Sequence, residues 1–414
     1  MRIAVIGTGI SGMVAAYLLS EDHDVVAFEA NDYIGGHTHT IDFRQDGRIY
    51  SVDSGFIVFN EKTYPNFVKL MKRLGVAWQP SNMSFSVQSE KTGLEYCPSS
   101  LNALFAQRRN LFRPWFYRML LETFRFRREA QEILRANDTH TTLGDYLKGK
   151  GYSEGFIHHF IIPMGEAIWS AEPRQFNEFP AHYFVQFFNN HGFLNVRNQP
   201  QWQVIRGGSK SYIEPLTNRY RKNVRVNCPV VSVRRHADYV EVKPRDGEPE
   251  KFDQVVIGAH SDQALAMLAD PSDAEGKILG AIAYQENLAT LHTDSSLLPR
   301  KTAAWASWNY HIPEEDLGRV AVTYYMNMLQ SLQAPVEFCL TLNRADVIES
   351  AKVLREMIYH HPVYTRRGLL AQRRHAEISG VNRTHFCGAY WGYGFHEDGV
   401  NSALAVCKNF GKTL

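Results

Sequence analysis

Residues 2 to 32, "RIAVIGTGISGMVAAYLLSEDHDVVAFEAND", constrain the fold more than any other stretch of the chain. Arg2 to Ile6 is a short apolar run that reads as a strand, and Gly7, Gly9 and Gly12 follow it at G-x-G-x-x-G spacing. Met13 to Leu19 then carries helical spacing into "DVVAFE", a second strand closed by Glu29. In such a strand–turn–helix–strand unit each glycine has its own mechanical role. Gly7 permits the tight turn, Gly9 lets the backbone approach a pyrophosphate, and Gly12 lets the helix pack closely on the strand. Free N–H groups at the helix start, beside Ser11, receive phosphate oxygens. Glu29, 17 residues after Gly12, is placed to accept ribose hydroxyls. The spacing therefore predicts a dinucleotide site on an α/β sheet.

Length bounds the rest. At 414 residues, with 44% hydrophobic and 12% aromatic residues, the chain is globular and predicts two domains. A formal charge of +2 gives no global field for nucleic acid. Five scattered cysteines without a C-x-x-C predict reduced thiols and a cytoplasmic setting. No signal peptide and no spanning helix is read from the sequence.

After Glu29, "NDYIGGHTHT" places a second glycine pair, Gly35-Gly36, six residues on, followed by His37 and His39. An H-x-H pair suits a metal, but no third ligand stands at recognised spacing, so no metal is predicted. The combined motif resembles the glutathione-reductase-like flavoproteins, especially the amine oxidase and phytoene desaturase group. That resemblance implies FAD, an α/β (α+β) fold with a Rossmann FAD-binding domain and an inserted substrate domain, and His37 as a donor beside the pyrophosphate. His39 is read as a strand residue facing away or a surface imidazole.

Three further segments match the group. "YSVDSGFIVFN" carries a D-x-G turn, Asp53 to Gly55 and then Phe56, whose backbone in relatives runs beside the isoalloxazine. "VNCPVVSV" puts Val230 where relatives grip the adenine with a valine backbone, and "DQVVIGAH" ends a buried strand at Gly258-Ala259. "HFCGAYWGYGFHEDGVNSALAV" resembles the closing flavin segment, with a helix beginning near Gly399; Phe395 falls where relatives hold an aromatic ring over the flavin, and His396, Gly399 and Val400 join the predicted cofactor contacts. Glu397 and Asp398 fit equally well as helix caps. No cysteine stands at the position of a thioether link, which predicts noncovalent FAD.

The expected organisation is discontinuous: residues 1–80, 201–285 and 381–414 for FAD, and 81–200 and 286–380 as the substrate domain. In the latter, "LATLHTDSSLLP", "AAWASWNYHI", "RVAVTYYMNML" and "EFCLTLN" read as strands; Trp305, Trp308, Tyr324 and Tyr325 are pocket candidates or sheet core. His158, His159 and Glu166 are candidate bases without an assigned role, so the catalytic side chains stay unassigned. Together "SGFIVFNEKTYPNF", "PSNMSFSV", "GYSEGFIHHFIIPMGEAIWS", "NQPQW" and "GYGFHEDG" resemble the flavin domain of plant cyclopropane fatty acid synthases and its free-standing bacterial relatives. That implies a lipid acyl chain as substrate and a fatty acyl methyltransferase as partner. Residues 106–135, with eight Arg, three Glu and interleaved aromatics, predict one basic helix suited to a membrane interface at its cytoplasmic face. Arg108, Arg109, Arg113 and Arg118 are read as headgroup contacts, and Phe112, Trp115 and Phe116 as inserting side chains. A soluble amine as substrate, and a non-redox role in which FAD stabilises a lipid-binding protein, remain the alternatives.

Overall fold

The computed structural model describes residues 1–136, 138, 140–195 and 199–414. Asn198 of "NQPQW" lies outside the described residues. The architecture is mixed α/β. Five strands form a sheet in the order Val224–Arg225, Asp24–Phe28, Arg2–Ile6, Gln254–Ile257, Thr384–Phe386, and each neighbouring pair is parallel. Parallel strands need cover on both faces, and the alternation along Arg2–Ile6 shows it. Ile3 and Val5 pack with the helix Ile10–Leu19 and the closing helix His396–Lys408, whereas Ala4 and Ile6 face the antiparallel strands Val230–Arg235, Val240–Pro244 and Glu250–Phe252. The first helix is apolar all round, and every one of its residues is buried, as an enclosed helix requires.

A second sheet runs Val353–Val363, Ala283–His292, Cys339–Leu342, Val322–Tyr325, Trp308–Ile312, Phe85–Ser89, Glu95–Tyr96. Its neighbours are antiparallel except for the parallel pair Trp308–Ile312 and Phe85–Ser89. Aromatic residues of Ile162–Trp169 and Ala181–Asn190 share its core with Phe116 and Phe126. The sequence pattern does not predict the strand Val353–Val363; His360, His361 and Pro362 interrupt any clean alternation of apolar and polar residues there.

The predicted basic helix 106–135 is two elements. A short 3-10 turn spans Arg108–Phe112, and a 23-residue α-helix runs from Pro114 to Ala136. Proline lacks the N–H that a continuing helix needs and suits a first helical position, so the chain restarts at Pro114. The closing helix likewise starts at His396 rather than near Gly399. Among the described residues no helix is long and apolar enough to cross a membrane.

Candidate flavin site

A cavity of about 1060 Å³ opens between the two sheets. Gly7, Gly9, Ser11, Glu29, Gly36, His37, Gly55, Phe56, Val230, Ala259, Phe395 and His396 all line it. At the start of the first helix, Gly9 takes the N-cap position without any side-chain cap, leaving the helix N–H groups facing the cavity. A Cβ at Gly9 would meet nothing within 4 Å, so the open space there belongs to the cavity. Both observations fit an anionic pyrophosphate at that turn.

Glu29 is already tied into the same turn. One carboxylate oxygen accepts the Thr8 N–H at 2.9 Å and the Thr8 hydroxyl at 2.5 Å, and the other accepts the Asn31 N–H at 2.9 Å. An ionised carboxylate has about four acceptor positions, so room remains for a ribose hydroxyl. The second glycine turn closes on the first: a Cβ on Gly36 would stand 3.0 Å from the Cα of Gly9.

Four predicted contacts stand behind the cavity wall. A Cβ on Gly12 would lie 2.0 Å from the carbonyl oxygen of Gly7, which is helix–strand packing and not ligand contact. Gly35 closes its own turn against Thr38; Gly399 abuts Ile10 and Ser11; Val400 belongs to the apolar core under the first helix. Asp53 also turns away from the cavity. Its buried carboxylate accepts hydrogen bonds from Thr40, from the backbone and hydroxyl of Ser209, and from Gln330, while burial pushes it up to about 6. It fastens the hairpin, whereas Gly55 and Phe56 after it reach the cavity.

Phe56 stacks on His396 with ring centroids 3.5 Å apart. His396 Nε2 lies 2.9 Å from the Tyr212 hydroxyl and 3.2 Å from that of Thr38. Of the two acids after it, Asp398 accepts the Phe395 N–H at 3.0 Å and caps its own helix. Glu397 instead accepts the N–H groups of Asn66 and Phe67 at 3.1 and 2.8 Å, capping a different helix, Pro65–Leu74.

His37 meets three other aromatic side chains, Tyr359 at 5.0 Å, His361 at 5.6 Å and His260 at 6.0 Å between centroids. Burial, reinforced by neighbouring imidazoles, pushes His37 down to about 3 and His260 to about 4, so both are neutral at ordinary pH. Tyr359 and His361 lie on the strand that the pattern does not predict. His39 is buried against Tyr33 and shares a hydrogen bond with the Tyr359 hydroxyl at 3.0 Å, so it is no surface imidazole. Among the described residues no group of three His, Cys, Asp or Glu is placed to hold a metal ion.

Away from the glycine turns the cavity changes character. Ile168, Trp169, Trp308, Tyr324, Leu340 and Leu342 form that end. The charged residues of the described lining are Glu29, Arg245 and Glu286. Arg245 is bonded through its backbone to Pro229, next to Val230, and Glu286 faces His360 across the strand pair near His260. All three thus sit at the dinucleotide end. Trp308 Nε1 and the Tyr364 hydroxyl belong to lining residues but are themselves enclosed and without a hydrogen-bond partner. Trp305 and Tyr325, by contrast, pair with each other outside this lining.

The candidate bases lie off the cavity. His158 pairs with Glu154 at the surface, and His159 packs on Trp115. Glu166 is buried in the core, hydrogen-bonded by the Tyr310 hydroxyl. Cys387 is buried in the core, away from the lining, and burial drives its thiol far up, so it offers no thiolate. All five cysteines are free.

The open helix start and the ribose-side carboxylate define a flavoprotein-type dinucleotide site. Residues 10–296 match the model of the flavin containing amine oxidoreductase family, and the chain belongs to that family. That family is one of flavin-containing oxidoreductases, and the site fits FAD. A flavin-dependent L-tryptophan oxidase, RebO, from Lentzea aerocolonigenes is 23% identical over 272 residues, 59% of this chain; the match spans about half of that relative, 54%. The fold is shared with the cyclohexylamine oxidase of Brevibacterium oxydans IH-35A, at a TM-score of 0.68, 15% identity and 99% of both chains. It is equally shared with a CLA-producing fatty acid isomerase from P. acnes, at a TM-score of 0.68 and 16% identity over 99% of this chain and 98% of that one.

Proposed function

We propose that the chain oxidises or desaturates the acyl chain of a lipid. The observation that carries this reading is the far end of the cavity, walled by aromatic and aliphatic side chains with no charged residue among those described. An ammonium or carboxylate brought there loses its water without a counter-charge, at a cost of several kcal/mol, whereas each methylene gains about 0.8 kcal/mol. The fatty acid isomerase with the same fold, and the motif resemblance to the flavin domain of cyclopropane fatty acid synthases, support the same substrate class. On the same reading a fatty acyl methyltransferase acting on that lipid is proposed as a partner, from the motif resemblance alone.

On this reading residues 1–80, 201–285 and 381–414 form the glutathione-reductase-like FAD domain, and the remainder shapes the substrate end. Gly7, Gly9 and Ser11 would hold the pyrophosphate, Glu29 the ribose and Val230 the adenine side, with Phe56, Phe395 and His396 at the flavin. Bound there, the flavin supplies two-electron acceptance from a C–H bond. Trp169 and Trp308 exclude water from that point. His37 and His260, kept neutral by burial, would serve the cofactor end as hydrogen-bonding groups and not as bases.

Anaerobic mixing of the FAD-loaded protein with an unsaturated or methyl-branched phospholipid tests this. Loss of the yellow flavin absorbance is expected. Bleaching by an amine and not by the lipid would give the site to amines, and bleaching by neither would favour a non-redox, lipid-binding role.

A further inference from the structure

The long helix Pro114–Ala136 presents two unlike faces. Phe116, Met119, Phe126, Ala130 and Ile133 are buried in the core beneath it, so Phe116 is no surface anchor. Facing outward at i, i+4 and i+7 are Tyr117, Leu121 and Phe124, exposed by 40, 69 and 57%. Phe112, in the turn before, is 85% exposed, with Leu111 beside it at 42%. Large apolar side chains grouped in this way on an outer helix mark an interaction surface and not ordinary solvated positions.

The charge on the helix is sorted as sharply. Glu122 turns inward, where it accepts from the Ser153 N–H at 3.1 Å and pairs with Arg118; Glu129 turns to the Tyr152 hydroxyl at 3.0 Å and to Arg125. Arg108, Arg109, Arg118 and Arg128 are left exposed around the apolar ridge. Arg113 and Arg127 lie 5.9 and 5.8 Å from the rings of Trp115 and Phe124, so cation and aromatic stand together. A ridge of aromatic and leucine side chains set in arginines, with Glu122 and Glu129 turned inward and the exposed Glu132 paired with Lys150, complements an anionic lipid surface: rings enter the acyl boundary and guanidiniums meet phosphates.

The ridge is also connected to the cavity. A Cβ at Gly155 would lie 3.2 Å from the Trp115 ring, and the helical stretch that follows, through a π turn at Ile157–Ile161, ends at Ile168 and Trp169 in the cavity wall. At about 1.5 Å per residue that is roughly 20 Å from surface to cavity wall.

We infer that Phe112, Tyr117, Leu121 and Phe124, with the exposed arginines around them, dock the protein on an anionic phospholipid bilayer. The inference draws on the acyl reading only for what the bilayer delivers; docking is measured without turnover, so either can fail alone. The test uses sedimentation of the FAD-loaded chain with vesicles of phosphatidylcholine alone or mixed with phosphatidylglycerol. Binding at least about tenfold tighter to the anionic vesicles is expected, weakening as salt rises. The triple variant Phe112→Ser, Leu121→Ser, Phe124→Ser leaves charge untouched and should bind about tenfold more weakly, with FAD content and melting temperature as in the wild type. Wild-type protein that stays in the supernatant at low salt, or a triple variant that binds equally well, overturns the inference. So does a wild-type dimer that the triple variant makes monomeric without vesicle binding, since the ridge would then join two copies of the chain.

Discussion

Phe56 lies nearly parallel to His396, 11° between ring planes, and the pair joins the turn after the first hairpin to the start of the closing helix. His396 is buried and held far below its ordinary pKa by that burial, so the stack is between two neutral rings. Phe56→Ala removes the stack, worth about 0.5–1.5 kcal/mol, together with part of the cavity wall. FAD affinity should fall roughly three- to tenfold, read as the fraction of flavin retained after gel filtration and by titration of the stripped protein. Full retention would separate the pair from the cofactor.

Gly9 and Gly12 make opposite predictions. At Gly9 the backbone has φ −63° and ψ 174°, which alanine adopts freely, and the new methyl meets nothing within 4 Å. Gly9→Ala should therefore leave the melting temperature of the flavin-free protein unchanged while lowering FAD affinity tenfold or more. Gly12→Ala drives a methyl into the Gly7 carbonyl and should destabilise the fold by about 1–3 kcal/mol, seen in a denaturant titration. Equal behaviour of the two variants would remove the distinction between cavity and packing glycines.

Glu29→Ala leaves the Thr8 and Asn31 N–H groups without their acceptor and takes a charged acceptor from the ribose side, about 1.5–3 kcal/mol in FAD binding. Glu29→Gln keeps an acceptor oxygen and should lose less. The ranking is checked by isothermal titration of FAD into stripped protein, and unchanged affinity in the alanine variant would take Glu29 out of the site.

Glu166 ties stability to pH. Burial pushes it up to about 8, against an ordinary value near about 4.3, so between these values the folded chain binds a proton that the unfolded chain does not. Stability from this group therefore falls as pH rises through that window, by at most about 1.4 kcal/mol per pH unit. Glu166→Gln stays neutral and should lose less stability than the wild type between about pH 5 and 8, measured by denaturant unfolding at both values. Parallel curves would refute the assignment.

NADH and NADPH should not reduce the flavin directly. Neither "VIRGGSKSYIEPL" nor "VVIGAHSDQAL" carries the second G-x-G-x-x-G fingerprint that the pyridine-nucleotide reductases of the resembled superfamily have in mid-chain. Stoichiometric anaerobic reduction by NADPH would contradict this.

What could be read from the sequence was whatever backbone geometry fixes locally. The glycine turn had to be followed by Ile10–Leu19 on top of Arg2–Ile6, because each glycine answers to contacts within its own unit. The separate roles of Gly9 and Gly12 were legible from their places in the G-x-G-x-x-G turn; that Gly399 and Val400 stand behind the cavity wall was not, because it depends on the first helix packing against the closing one. Phe116 and Tyr117 are equally aromatic neighbours among arginines, yet one is core and the other surface, a matter of helix rotation set by tertiary packing. The strand Val353–Val363 is hidden because its cavity residues Tyr359 to Pro362 serve the site and spoil its periodicity. Glu397 has the position of a cap for its own helix; that it caps Pro65–Leu74 depends on a long-range approach no local pattern encodes.

The cavity wall is assembled from residues as distant as Ile6 and His396, and its parallel sheet is completed only by Thr384–Phe386. During synthesis at about 5–20 residues per second, a ribosome-bound chain therefore exposes an unfinished pocket until nearly all of these residues have emerged. Flavin capture at this pocket consequently comes late in the life of the nascent polypeptide, after the last strand and the closing helix have left the ribosome.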